Sequence, residues 1–109
     1  ALEASTEYGR FFHGEGVSVG MMGAARMAEQ MGMISAELVD RQDQLLRRFN
    51  LPTTAAGVDI DGIFRAMSMD KKTEAGSNRW VMLEGVGKAV VRRDVPRVLV
   101  EATVRELIA

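Results

Sequence analysis

Apolar residues recur at helical spacing between Gly14 and Gly32, where Val17, Met21, Ala24, Ala25, Ala28 and Met31 fall on one stripe. Arg26, Glu29 and Gln30 occupy the opposite face. The pattern predicts a helix that buries the first set and stops at Gly32. Gly16 and Gly20, four apart, are the positions where a second backbone could come close. A second helix opens at Ser35, the expected N-cap, although Leu38 stands where a capping box would carry Glu or Gln. Leu38, Leu45, Leu46 and Phe49 form its apolar stripe, with Asp40, Arg41, Asp43, Arg47 and Arg48 on the wet side. Asn50-Leu51-Pro52 ends it, because a proline disfavours helical geometry in the residue before it.

Residues 53–58 read as a loop, and Asp59 as the cap of a third helix that turns Ile60, Ile63, Phe64 and Met67 inward. That helix runs into Met69-Asp70-Lys71-Lys72, and a polar turn comes next, from Thr73 to Asn78. The period then changes. Arg79 to Leu83 and Lys88 to Val91 are short β-like runs around Glu84-Gly85-Val86-Gly87, which predicts a hairpin near residues 79–91. Asp94 is the expected cap of a last helix, with Pro96 in its first turn and Val98, Leu99, Ala102 and Leu107 facing inward. Residues 1–10 are small and polar, and predict a short helical tail ending in a turn at Tyr8-Gly9. No repeat or low-complexity tract interrupts the chain. The expected fold is mainly α, one multi-helix domain over residues 1–109 with one small β-hairpin.

Composition narrows the partners. The 109 residues carry 14 basic and 15 acidic side chains, a net charge of −1, so bulk electrostatics point to neither nucleic acid nor membrane. The low-charge run from Gly16 to Ala25 is about half of what a membrane span needs. Glu3 and Glu7 stand where a signal peptide would be basic. Cysteine is absent, which excludes disulfides, thiolate zinc sites and cysteine nucleophiles, and fits a cytoplasmic protein. The chain opens Ala1-Leu2-Glu3 without an initiator methionine, which reads as a processed chain or a piece of a longer one.

Candidate chemistry is sparse. A catalytic zinc ion takes about three protein ligands and keeps one position open. The chain has a single histidine, His13, and Glu15 two residues on would point to a different side of a helix. On the residues alone, a structural or exposed histidine and a metal ligand both stand open. Gly14-x-Gly16-x-x-x-Gly20 misses the dinucleotide fingerprint by one residue and has no strand before it. Gly85-Val86-Gly87-Lys88 lacks the spacing and the Ser or Thr of a phosphate loop. Lys71 and Lys72 could hold a phosphate or carboxylate as flexible point charges, or simply solvate a helix end and complement its dipole. The eight methionines suit an adaptable core or a subunit contact.

The order of motifs carries more. His13-Gly14-Glu15, Val17-x-x-Gly20-Met21, Leu51-Pro52, Asp70-Lys71-Lys72 and Trp80-Val81-Met82-Leu83 with Gly85-x-Gly87 together resemble the C-terminal domain of the 3-dehydroquinate synthases. The resemblance extends over essentially the whole chain. It does not separate these enzymes from other sugar-phosphate cyclases such as 2-deoxy-scyllo-inosose synthase. It implies a lyase of the shikimate route to aromatic amino acids, using NAD and zinc (or another divalent metal). That lyase eliminates phosphate from a seven-carbon keto-acid phosphate and closes a carbocycle. The family's zinc is held by one glutamate and two histidines, and one of those histidines belongs to the motif that His13 matches. The family's substrate-contacting lysine matches Lys71 first and Lys72 second. Gly16 stands where many members have alanine.

Members also carry an N-terminal NAD-binding α/β domain and, just before this region, a Gly-His-x-x-Gly-His segment. Ala1-Leu2-Glu3 resembles the residues immediately after that segment, so the resemblance implies a chain that begins inside the domain. Alone it would bind neither NAD nor zinc tightly and would have no synthase activity. The face meant for the NAD-binding domain would be uncovered and prone to self-association. A different class of reading, a helical interaction or dimerisation module derived from such a domain, accounts for the same residues.

Overall fold

The computed structural model describes residues 13–73 and 79–109, with 68–73 described through the backbone. The predicted tail over residues 1–10 and the turn residues 74–78 lie outside the described residues. Within them the order is α1 (His13–Gln30), α2 (Ala36–Arg48), α3 (Ile60–Thr73), β1 (Trp80–Gly85), β2 (Lys88–Arg92) and α4 (Arg97–Ile108). The fold is mainly α with one antiparallel hairpin, as the periodicity requires.

Helix ends obey local chemistry. At the end of α1 the Gly32 N–H donates to the Glu29 carbonyl at 3.0 Å, and the Met33 N–H donates to the Ala28 carbonyl at 2.9 Å. This is a Schellman end, and Gly32 supplies its positive φ of 76°. The same pair of bonds closes α2, from Asn50 to Arg47 and from Leu51 to Leu46, both at 3.0 Å. Asn50 takes the left-handed conformation there, φ 58°, so α2 stops on Asn50 before Pro52 can act. Ser35 caps α2 by accepting from the Leu38 N–H at 3.3 Å. Asp59 caps α3, its carboxylate accepting from the Asp61 and Gly62 N–H groups, both at 3.2 Å. The expected cap of α4 is different. Pro96 holds the N-cap position without a side-chain bond, because Asp94 pairs instead with Arg92 through two bonds of 2.7 and 2.6 Å. A forked ion pair outcompetes a single cap bond for the same carboxylate.

α1 is the spine against which α2, α4 and the hairpin pack. Its middle turns contribute Val19, Met22 and Ala25 to a core with Val39 and Leu46 of α2, Ile63 of α3 and Leu107 of α4. Its second half sets Met27 and Ala28 against Met82 of β1 and Val100 of α4. Each large side chain so buried contributes about 1.5–3 kcal/mol. Met82 pairs with Val90 across the hairpin, and the two-residue turn Val86-Gly87 is tighter than the four-residue loop predicted. Gly87 provides the positive φ of 77°.

The 53–58 loop is a plug. Thr53, Ala55 and Val58 are buried, and the Ala55 and Gly57 N–H groups donate to the carbonyls of Leu107 and Ile108 at 2.7 and 3.1 Å. It thereby satisfies two of the carbonyls that the end of α4 leaves open. The buried Ser18 hydroxyl donates to the Pro52 carbonyl and ties α1 to the entry of this loop. The Arg97 guanidinium lies 5.7 Å from the centre of the Phe64 ring, joining α4 to α3.

The stripes differ from the expectation on three helices. On α1 the buried set is Ser18, Val19, Met22, Gly23, Ala25, Met27 and Ala28, while Val17 and Met21 are exposed. The close approach is at Gly23, where an added Cβ would lie 3.0 Å from Leu107 Cδ1; around Gly20 there is open space. On α2 Val39 and Leu46 are buried, and Leu45 and Phe49 are 54% and 71% exposed. On α4 Val100, Thr103 and Leu107 are buried, whereas Val98 and Ala102 face solvent. Apolar residues on α1 and α4 outnumber the buried positions, so more than one stripe satisfies the period and tertiary packing selects between them.

Candidate functional site: the His13 end of helix α1

His13 is the first residue of α1 and is exposed. Glu15 sits in the same first turn, where a carboxylate favours the positive end of the helix dipole. Side chains four apart share a helix face, so His13, Val17 and Met21 form one exposed stripe. Ser18, Met22 and Ala25 form the buried stripe beside it. The imidazole therefore belongs to the solvent side of α1, not to its core.

α2 packs against α1. The Gln42 amide donates to the Met21 carbonyl at 3.1 Å and to Met22 Sδ at 3.4 Å, which fixes α2 against the middle of α1. Ser18 meets Pro52, so the chain just after α2 lies against the first half of α1. Leu45 and Phe49, three and seven residues after Gln42 on the same helix, are also exposed apolar residues.

Lys71 and Lys72 lie in the last turn of α3, not after it, since that helix continues to Thr73. Their side chains lie outside the described residues. His13 and the two lysines therefore stand at ends of different helices.

Elsewhere the charged groups form surface pairs. Arg47 with Asp43, Lys88 with Glu84 and Arg97 with Glu101 are spaced i,i+4, each worth little in stability. The Arg92 guanidinium, hydrogen-bonded to Asp94, holds that carboxyl below the usual carboxylate range, and the same bond raises the arginine further. Each of these pairs neutralises itself locally, away from the first turn of α1.

The described residues do not make up a complete metal or dinucleotide site. Among them no three His, Asp or Glu side chains converge as ligands, and His13 offers one imidazole donor where catalytic zinc takes about three. Their only sheet is the two-stranded hairpin, whereas a dinucleotide fold needs parallel strands with crossover helices. No helix among them is long and apolar enough to cross a membrane.

Comparison with known proteins gives the family of this chain. The family described as 3-dehydroquinate synthase C-terminal matches residues 1–73. A 3-dehydroquinate synthase of Nitrosospira multiformis is 37% identical over 109 residues, covering 100% of this chain and 30% of that protein. One from Pseudomonas aeruginosa is 40% identical over 106 residues, 96% of this chain and 29% of its own length. One from Acidithiobacillus ferrooxidans is 35% identical over 105 residues, with 96% and 29% covered. The chain belongs to the 3-dehydroquinate synthase C-terminal family. It spans about 30% of the length of the curated relatives it matches.

Proposed function

We propose that this chain serves as the helical metal- and substrate-contacting part of a 3-dehydroquinate synthase-like carbon–oxygen lyase. The observation that carries the reading is the match of the whole chain to synthases more than three times its length. The reaction class is elimination of phosphate from a seven-carbon keto-acid phosphate, then ring closure, in the shikimate route, in the cytoplasm. As the resemblance implies, an N-terminal domain would hold NAD, and the remaining zinc ligands would come from chain that precedes this region in the family.

In this reading His13 provides one zinc ligand. Its exposure at the first turn of α1 supports that role, because a ligand completed by other polypeptide must be reachable from outside this chain. Lys71 is the anion contact, with Lys72 second. Both belong to the last turn of α3, where the helix dipole favours positive charge. A lysine can hold a phosphate or carboxylate as a point charge without demanding the planar geometry of arginine. By itself the chain brings a single donor, so synthase activity is expected only from the longer polypeptide.

The test is phosphate release from the seven-carbon substrate by the full-length polypeptide whose reading frame contains this chain. NAD- and zinc-dependent release, reduced at least ~100-fold by His13→Ala and by Lys71→Ala with the fold retained, is the expected result. Release that survives His13→Ala undiminished would overturn the ligand assignment. A product other than a dehydroquinate-type carbocycle would assign the chain to a different cyclase.

A further inference from the structure

His13 heads α1, which packs along α2, α4 and the hairpin, while Lys71 ends α3, which packs along α4. The chain that leads from one to the other is fixed at three places. From α1, the buried Ser18 hydroxyl donates to the Pro52 carbonyl. From the end of α4, the Leu107 and Ile108 carbonyls accept from the Ala55 and Gly57 N–H groups at 2.7 and 3.1 Å. From the start of α4, the Arg97 guanidinium lies over the Phe64 ring at 5.7 Å. α4 is thus a strut, with one end on the plug and the other on the second turn of α3.

Gly57 is the turning point of this link. Its φ of 81° lies in the left-handed region, and no atom lies within 4 Å of where its Cβ would be. A side chain at Gly57 therefore meets backbone strain and no crowding. Relaxing that strain redirects the chain two residues before Asp59, the cap of α3. The displacement grows along the helix. Lys71 stands eleven residues beyond Ile60, about 16 Å along the axis. A tilt of about 10° at the start would carry the Lys71 end about 3 Å, and a misplacement of about 1 Å can cost about 100-fold in rate.

We propose that Gly57 is a positioning residue for the lyase site: together with the strut of α4, it sets the direction of α3 and so the place of Lys71 relative to His13. The inference rests on the reading of Lys71 as the anion contact. Gly32 is the matched control, since its φ of 76° and open surroundings give a side chain the same strain, at the end of α1 remote from His13. Phosphate release from the seven-carbon keto-acid phosphate is followed with the full-length, zinc-loaded polypeptide. Gly57→Val is expected to lower kcat/KM at least ~10-fold at unchanged zinc content, and Gly32→Val less than ~2-fold, for similar falls in Tm. In a Lys71→Ala background Gly57→Val should lower kcat/KM by less than a further ~2-fold, because a positioning residue acts only through the group it places. Equal losses from the two glycine variants overturn the proposal, as does a Gly57→Val loss that persists undiminished without Lys71. Full activity of Lys71→Ala alone overturns the anion-contact reading, and the proposal with it. If valine at position 57 prevents folding, Gly57→Ala, which strains the backbone less, carries the same comparison.

Discussion

The two sides of α1 are built from the same kinds of residue and do opposite things. One side carries Ser18, Val19, Met22 and Ala25 into a core sealed by α2, the 53–58 plug and α4. The other carries Val17 and Met21 toward solvent, with His13 at its head. The inward side is packed and hydrogen-bonded, down to the Ser18 hydroxyl on the Pro52 carbonyl. The outward side has a histidine and apolar residues that stay partly open to solvent. Among the described residues the apolar positions of α1 are thus divided between a packed side and an exposed one, and the exposed one carries the candidate ligand.

The contrast is sharpest for neighbouring methionines. Met22 is fully buried and Met21 is 45% exposed. Met22→Ala is expected to destabilise the 109-residue chain by about 2–5 kcal/mol, and Met21→Ala by no more than about 0.5 kcal/mol, in urea unfolding. Comparable losses would mean that the outward side is also packed. The glycines give the next contrast. Gly23→Val should cost about 1–3 kcal/mol, since its Cβ meets Leu107, whereas Gly20→Ala should gain about 0.5–1 kcal/mol from helix propensity in open space. Thermal unfolding midpoints moving in opposite directions would sustain the difference between the two sides.

Ser18→Ala removes the tie between α1 and the plug and should cost about 1–2 kcal/mol by the same unfolding measurement. The smallest effect is at the surface. Asp94 is held below its ordinary value by Arg92, so its contribution is present above the unfolded carboxylate value near ~3.9 and is lost as pH falls through the lower folded one. Asp94→Asn should remove that part of the acid dependence and lower neutral-pH stability by the same small amount. A large loss at neutral pH would show that the pair is structural.

Much of this was legible in the chain. Ser35, Asp59 and Gly32 act where their chemistry puts them, because capping is decided within a few residues. The hairpin is announced by the change of period near Arg79. The features that the pattern missed are non-local. Which stripe of α1 or α4 is buried depends on partners distant in sequence, and Val17 and Val98 fit a helical period as well as Val19 and Val100. Asp94 was misread because Arg92, two residues away, competes for it. The candidate site was legible only through the ordered motifs. His13 and Lys71 lie on separate helices, and spacing alone could not join them.

Whether the open side of α1 belongs to a metal site is decided by the zinc content of the full-length polypeptide, wild type against His13→Ala. Purification under identical conditions and elemental analysis give zinc per chain. About one zinc per wild-type chain is predicted, against essentially none in His13→Ala, with both proteins giving the same circular dichroism. Equal zinc in the two proteins would contradict the assignment of His13, and with it the reason for reading the open side of α1 as part of a metal site.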